Sequence, residues 1–406
     1  MSNRKRVLFL ITNFGFGGAQ RVLGDHSSLL HDHADVLEVV FNDWDEKRVY
    51  ETGNPYRSLD VSGGGTPFQR IANFCRRISR LRKLKKEFRP DITISHLEGA
   101  DYISLLSGGR DKKILVIHGS KQGDQNIAGL VGTLRHKMLM PWLYRKADRI
   151  ITVSKDIRLE LMRHYSIPEE KIMSLPNFFD CNSIAVKASE PVDPALLPLF
   201  SKPSFKLITF ARLASQKNLS VLFPLFKALQ EKGHNVQLYI LGDGELRNQL
   251  LDEAGAVGKV WQAWNNDAPS ADAGIFFLGY QAAPHAFLKH ANLFLMPSLW
   301  EGFPMALCEA MASGIAVMAA DCPTGPKEIL DWKEGEKYGI GTNGALLPVI
   351  TNITDELAIL AWASAVASLA TMPKQVKDLQ QNGMARVRYY DRSVVGPKWC
   401  NAYLDS

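Results

Sequence analysis

Twice along this chain, short runs of aliphatic and β-branched residues alternate with amphipathic stretches, and an interval rich in proline separates the two series. In the first series, 6–12 (RVLFLIT), 36–41, 91–95, 113–117 and 149–153 are almost wholly apolar. Strands with one face in water would alternate, so these read as strands covered on both faces. Helical spacing fills the gaps at 19–31, 67–88, 99–108, 127–146 and 155–164. The second series places strands at 205–210, 236–241, 274–278, 293–296 and 315–319, then a helical tail at about 375–403. Strand–helix alternation predicts an α/β fold of two tandem Rossmann-like domains facing across a cleft, with ligands at the carboxyl ends of the strands. The expected boundaries are a first domain at 1–180, a linker at 181–204 carrying Pro191, Pro194, Pro198 and Pro203, and a second domain at 205–385. A final helix, 386–406, is expected to pack back toward the first domain.

Composition narrows the function classes. With 46% hydrophobic and 22% charged residues, the chain is neither a disordered tail nor a collagen-like repeat. Its five cysteines are scattered with no CxxC pair, which argues against a disulfide framework or a structural zinc site and for free thiols in a reducing compartment. The apolar run 7–11 is too short for a signal peptide core and leads into glycines. The run 357–372 has sixteen uncharged residues, fewer than the ~20 that span a bilayer, and ends at Pro373. The formal charge of +6 is concentrated: 68–89 holds nine Lys/Arg and one Glu, which leaves the rest of the chain slightly acidic.

Three stretches carry chemistry. After the first strand, Asn13-Phe14-Gly15-Phe16-Gly17-Gly18 forms a glycine-rich turn into a helix, where bare backbone amides can approach an anion. It lacks the third glycine of a dinucleotide fingerprint and fits a tight strand–helix turn equally well. Arg212 and Lys217 follow the first strand of the second series; a guanidinium fork and an ammonium at a strand end suit a pyrophosphate. The most informative stretch is 297–326 (PSLWEGFPMALCEAMASGIAVMAADCPTGP), with Glu301 and Glu309 around a helix start at Gly302, Phe303 and Pro304. On a continuous helix the two carboxylates would lie ~12 Å apart along the axis and about 80° around it. That exceeds the ~5–9.5 Å of a glycosidase acid–base pair. Two separate grips on one elongated ligand fit better, with the Gly302 and Phe303 amides ready for a phosphate or sugar oxygen.

Gly17-Gly18, Arg212 with Lys217-Asn218, Gly242-Asp243-Gly244-Glu245-Leu246, Phe277-Leu278-Gly279-Tyr280 and the EGFPMALCE segment at 301–309 occur in this order. In this the chain resembles the retaining GT-B glycosyltransferases of the family-four group, over nearly its whole length and most strongly over 205–330. The resemblance implies that Glu309 binds the ribose of a nucleotide sugar and that Glu301 contacts the donor sugar. Arg212 and Lys217 would neutralise the leaving diphosphate, and Gly17 and Gly18 would close over it. His118, at the end of a strand in VIHG, would line the donor sugar near the reacting carbon, and the backbone at Gly279 and Tyr280 would meet the base. Implied too are a UDP-linked donor of hexose or N-acetylhexosamine, a glycan or lipid-linked acceptor, and retention of the anomeric configuration. No metal or other cofactor is expected, since no DxD-type carboxylate pair stands near these residues.

The basic segment adds a partner. Apolar residues recur at helical spacing within 68–89 while Arg and Lys take much of the remaining surface, which is an ordinary solvated helix face or a contact for an anionic surface. A second stretch at 135–146 mixes Arg135, Lys137, Arg145 and Lys146 with Trp142 and Tyr144. Peripheral docking on the inner face of a cell membrane, from the cytoplasm, is the expectation. Nucleic acid is not expected as a partner, because no RNA-recognition signature accompanies the basic helix. A non-catalytic sugar-nucleotide-binding relative is the other alternative, opposed by the presence of Glu301, Glu309, Arg212 and Lys217.

Overall fold

The computed structural model describes residues 4–44, 48–121, 129–265, 268–270, 272–333 and 335–405, with the backbone alone at 129–131. Residues 127 and 128 of the expected helix at 127–146 therefore lie outside the described residues. The chain forms two compact units: one runs to Phe179 and includes the segment from Arg392, the other spans Asp180–Asp391.

The first unit is a parallel sheet of β1 (Arg6–Ile11), β2 (Asp35–Val40), β3 (Tyr56–Ser58), β4 (Ile92–His96), β5 (Lys112–Ile117), β6 (Arg149–Thr152) and β7 (Ile172–Ser174). Their order is β3-β2-β1-β4-β5-β6-β7. β1 is buried on both faces from Val7 to Ile11, as its continuous apolar run requires. The reversal of strand order beside β1 makes its carboxyl end a switch point, where open α/β sheets bind ligands. The longest helix, Pro67–Phe88, starts from a Thr66–Gln69 capping box with proline at its first position. Phe74, Ile78, Leu84 and Phe88 of that helix pack against the β1–β2 core around Leu81.

The last helix, Arg392–Leu404, belongs to this unit. Trp399 and Tyr403, one turn apart, are wholly buried. The Trp399 indole donates to the Pro176 carbonyl at 2.8 Å, and the Tyr403 hydroxyl meets His26 Nδ1 at 2.7 Å.

The second unit is an eight-stranded sheet of β8 (Phe205–Phe210), β9 (Val236–Leu241), β10 (Val260–Gln262), β11 (Ile275–Gly279), β12 (Leu293–Met296), β13 (Ala316–Ala320), β14 (Gly339–Ile340) and β15 (Ala345–Leu347). The order is β10-β11-β9-β8-β12-β13-β15-β14, parallel except for the β14–β15 edge pair. The apolar run at 357–372 becomes the helix Glu356–Thr371, with Trp362, Ala363, Val366 and Leu369 in the core. Among the described residues no single helix is long and apolar enough to cross a membrane.

The expected linker at 181–204 is not a loose connection. It holds an α-helix, Cys181–Ser189, capped by Asp180, and a 3-10 helix, Pro194–Phe200, capped by Asp193. Its prolines do not prevent this, because Pro194 sits at a first helical position that needs no amide. Phe200 stacks on Tyr239, centroids 4.4 Å apart, which ties the segment to the second unit. The tail likewise divides at 391/392 rather than at 385/386, with 386–391 remaining in the second unit.

Candidate functional site

In the second unit the carboxyl ends of the strands are tied by contacts that demand particular residues. Gly242, just after β9, has φ +132°, and a Cβ there would stand 1.9 Å from the Ala211 carbonyl oxygen. Only glycine lets the β8 and β9 exits approach so closely. Leu213 N donates to Asp243 O, Leu246 N to Leu213 O (both 3.0 Å), and Gly242 N to the carbonyl of Gly279 at the end of β11 (2.8 Å).

The turn Ser215–Lys217 is then pinned to the loop after β12. Asn218, in the left-handed region at φ +53°, donates its side-chain amide to Pro297 O (3.2 Å) and Ile350 O (2.8 Å). Gln216 reaches Trp300 O at 2.8 Å. These anchors place Lys217 Nζ 2.7 Å from Glu301 Oε1, which also accepts from Ser298 Oγ at 2.7 Å. The backbone of Glu301 is held in turn: its amide donates to Pro323 O at 3.3 Å, and its carbonyl accepts from the Thr324 hydroxyl.

Gly302, Phe303 and Pro304 are buried and lead into the helix Met305–Ala312. Glu301 thus lies in a loop and Glu309 on a helix, so the continuous-helix separation does not apply. Among the described residues no protein acceptor meets the Gly302 and Phe303 amides. Free amides leading into a helix suit an anionic or hydroxylated ligand. The Glu309 carboxylate is buried with Oε2 3.4 Å from His285 Nε2.

The other expected residues are placed differently. Arg212 is 73% exposed and pairs with Glu245, itself 52% exposed, at 3.2 Å. Tyr280 is exposed just past β11. The structure therefore joins Lys217, Glu301, Gly302, Phe303 and Pro304 in one cluster, while Arg212 occupies a surface ion pair. Ser298, Thr324 and His285 had no sequence signal, since hydroxyls and a lone histidine recur in most loops.

In the first unit, Gly17 caps the helix Gly18–Leu30 at the end of β1. A Cβ on Gly18 would meet nothing within 4 Å, so packing does not require a glycine there. His118 follows β5, and its Nε2 lies 2.7 Å from Nδ1 of the wholly buried His96. Burial, with Lys121 nearby, pushes His118 down to about 3. Burial also holds His96 and His26 well below the usual histidine range.

A carboxylate pair stands close to this end of the sheet. Asp101, wholly buried, accepts from Ser95 Oγ (2.7 Å) and Tyr144 Oη (2.8 Å), and burial pushes it up to about 7. Burial acts on Glu98 in the same sense, but Lys121 at 3.4 Å, the Tyr102 hydroxyl and Arg135 at 3.3 Å outweigh it and lower its pKa. Among the described residues, no three His, Cys, Asp or Glu side chains form a metal-holding group.

Residues 198–383 match the family described as glycosyl transferases group 1, and residues 16–183 match glycosyltransferase family 4. The chain is a GT-B glycosyltransferase. It is 29% identical to an uncharacterized glycosyltransferase of Methanocaldococcus jannaschii, over 80% of this chain and 82% of that one. It is 25% identical, over 80% of this chain and 83% of the other, to a Campylobacter jejuni enzyme named as an N-acetylgalactosaminyltransferase acting on a diphospho-undecaprenol-linked saccharide. Among solved structures, HepE of Anabaena, in complex with UDP and glucose, superposes with a TM-score of 0.74 at 15% identity, covering 99% of this chain and 100% of that one. Sucrose-phosphate synthase of Thermosynechococcus elongatus gives 0.76 at 14% identity, with 99% of each chain covered. The relatives include a lipopolysaccharide 1,6-galactosyltransferase of Escherichia coli and an amylovoran biosynthesis glycosyltransferase of Erwinia amylovora.

The glycosyltransferase uses its basic segment differently from a uniformly solvated face. Arg77 and Arg80 donate to carbonyls of Val61, Ser62, Leu59 and Asp60, and Arg82 donates to Leu106 and Ser107. Lys85 is buried against Asp111 at 2.8 Å. These four cations staple the helix Pro67–Phe88 to its neighbours, whereas no acceptor among the described residues meets the side chains of Lys83, Lys86 or Arg89. At the start of the helix, Phe68 and Ile71 are 87% and 64% exposed. The helix expected over 127–146 runs from Gly129 to Tyr144, with a π-helical turn at Arg135–Leu139 set into it. Leu134, Met138, Leu139 and Trp142 are exposed there, with Lys146 Nζ 3.4 Å from the Trp142 ring centroid.

Proposed function

We propose that this glycosyltransferase transfers a hexose or N-acetylhexosamine from a UDP-linked donor to a hydroxyl of a glycan or lipid-linked glycan, with retention of the anomeric configuration. The observation that carries this reading is the Lys217–Glu301–Ser298 cluster beside Gly302 and Phe303, which lead into the helix Met305–Ala312. A departing nucleoside diphosphate gains negative charge as the sugar C1–O bond breaks and the bond's electron pair passes to the diphosphate oxygen. An ammonium and preorganised amides stabilise that charge more than they stabilise the intact donor.

In this reading Lys217 meets the diphosphate, and Glu301 and Ser298 hold it in place until the donor arrives. Arg212 leaves its exposed partner Glu245 to join it. Glu309 takes the ribose, the Gly279–Tyr280 backbone takes the base, and Gly17 and Gly18 approach the diphosphate. His118 lines the sugar as a neutral group, which suits a neighbour of an oxocarbenium-like centre better than an imidazolium would. The two cations take the role that a divalent metal fills in other transferases, and no metal is needed.

The exposed apolar residues of 134–142, with Phe68, Ile71 and the unpaired Lys83, Lys86 and Arg89, support docking on an anionic membrane surface from the cytoplasmic side. A thermal-shift series with UDP, GDP and ADP tests the donor. UDP should raise the unfolding midpoint most, because a ligand of the native state stabilises it; a preference for GDP or ADP would overturn the assignment. Flotation with phosphatidylglycerol-containing vesicles tests docking, and failure to float at low salt would discard it.

A further inference from the structure

We infer that His96 is a positioning residue for His118, setting its ring orientation and its tautomer so that His118 presents Nδ1–H toward the donor sugar. The inference rests on the proposed place of His118 beside that sugar. β4 ends at His96, whose register partner on β5 is Val116. Side chains two residues apart on a strand share a face, so His118, just beyond β5, follows Val116 onto the side of His96. The two rings stack with centroids 4.9 Å apart and 25° between planes, and His96 Nδ1 lies 2.7 Å from His118 Nε2.

Two imidazole nitrogens at that distance need one N–H and one lone pair. Burial favours the neutral form of both rings. A neutral pair has two ways to share the proton, and the rest of the cluster separates them. His96 Nε2 is buried and meets no partner. If His96 carried its proton there, an N–H would be orphaned in the core, and orphaned buried N–H groups are rarer than under-used acceptors. The proton therefore sits on His96 Nδ1 and is donated to His118 Nε2. His118 must then carry its own proton on Nδ1, which leaves one neutral donor for a sugar oxygen.

The ring of His96 cannot swing away. Phe9 packs 5.9 Å from it and His26 5.8 Å, and His26 is fixed by Tyr403 of the C-terminal helix. The positioning group is thus backed by the fold of the first unit alone.

Imidazole nitrogen spectra of the full chain, selectively labelled at histidine, read the tautomer directly. The wild type should show His118 protonated at Nδ1 and unprotonated at Nε2; the reverse assignment overturns the inference with no variant needed. His96→Phe keeps a ring but removes the donor, and should shift His118 to the Nε2–H form or a mixture. It should also lower kcat by roughly 10- to 100-fold, the scale of a lost positioning contact, with the donor KM within about twofold, as expected when the loss is confined to the transition state. His96→Asn carries an amide N–H near the site of Nδ1 and should restore both the tautomer and most of kcat. Normal turnover and an unchanged tautomer in His96→Phe would overturn the proposal. His118→Ala separates the two levels: full activity in that variant removes His118 from the donor site, whereas lost activity there with unaffected His96 variants removes only the positioning role.

Discussion

The carboxyl ends of the two sheets solve the same problem by different means. In the second unit the charged groups are paired: Lys217 with the buried Glu301, and Arg212 with Glu245 in solvent. They are held by backbone contacts that admit only one residue type, as at Gly242. In the first unit burial shifts four groups toward neutrality, His26, His96 and His118 downward and Asp101 upward, while Lys121 and Arg135 hold Glu98 in its charged form. In the proposed reading, Lys217 and Arg212 of the charged edge meet the diphosphate, and the neutral His118 of the other edge meets the sugar. The difference predicts that substitutions in the second unit report on charge and those in the first on proton position.

The largest expected effect tests the charged edge. Lys217→Ala should lower kcat by about 10²–10³, the usual loss when one stabiliser of developing negative charge is removed. Glu301 keeps its bond from Ser298, so the variant should still unfold cooperatively. Turnover near the wild-type rate in a folded variant would end the proposed role of this cluster.

The next effect tests the buried edge through pH. Burial pushes Asp101 up to about 7 in the folded chain, above its ordinary value of 3.8. Between those values the folded state binds the proton and the unfolded state does not, so this group's contribution to stability falls as pH rises, by up to about 1.4 kcal/mol per pH unit. The buried histidines act in the opposite sense: their contribution is present above about 6.5 and is lost as pH falls below it. Asp101→Asn removes only the carboxyl term. Its stability relative to wild type should grow from pH 5 to about pH 7 and then level off, as read from denaturant midpoints. A difference that stays flat with pH would show that Asp101 is not the proton holder.

Two glycines sharpen the contrast. Gly242→Ala forces a side chain into φ +132° against the Ala211 carbonyl, at a cost of about 1–3 kcal/mol from backbone strain alone. Gly18→Ala meets nothing within 4 Å, so it should leave the unfolding midpoint unchanged while raising the donor KM. Destabilisation by Gly18→Ala would make that glycine a packing residue and not a ligand-facing one.

What could be read without coordinates follows the same division. Long apolar runs such as 6–12 and 236–241 announce buried strands, whereas β3, β7, β10 and β15 have three residues each, too few for any period to show. Lys217, Glu301 and the EGFP loop are visible because their residue types are chemically distinctive. Their contact is not, since it spans 84 positions and depends on Asn218 adopting a left-handed turn. Likewise Asp101 and Tyr144 are 43 positions apart. A carboxylate or histidine within an apolar stretch does not announce a raised or lowered pKa, because burial comes from neighbours brought in by the whole sheet. The interval 181–204 misleads for a related reason: its prolines read as breaks, yet Pro194 and Pro198 fall at the start and inside of a 3-10 helix whose Phe200 stacks on Tyr239.

The smallest effect concerns the exposed pair. Arg212 and Glu245 are both largely in solvent, and such pairs contribute about 0–1 kcal/mol. Glu245→Gln should therefore barely move the unfolding midpoint. It also frees the guanidinium, which the donor must otherwise take from Glu245. At low salt the variant's donor KM should fall by up to about fivefold, corresponding to the upper end of that range, and the gain should vanish near 1 M salt, where screening acts within ~3 Å. A KM that rises instead would mean that Glu245 aims Arg212 at the diphosphate, in which case the charged edge, like the buried one, depends on a partner that fixes its geometry.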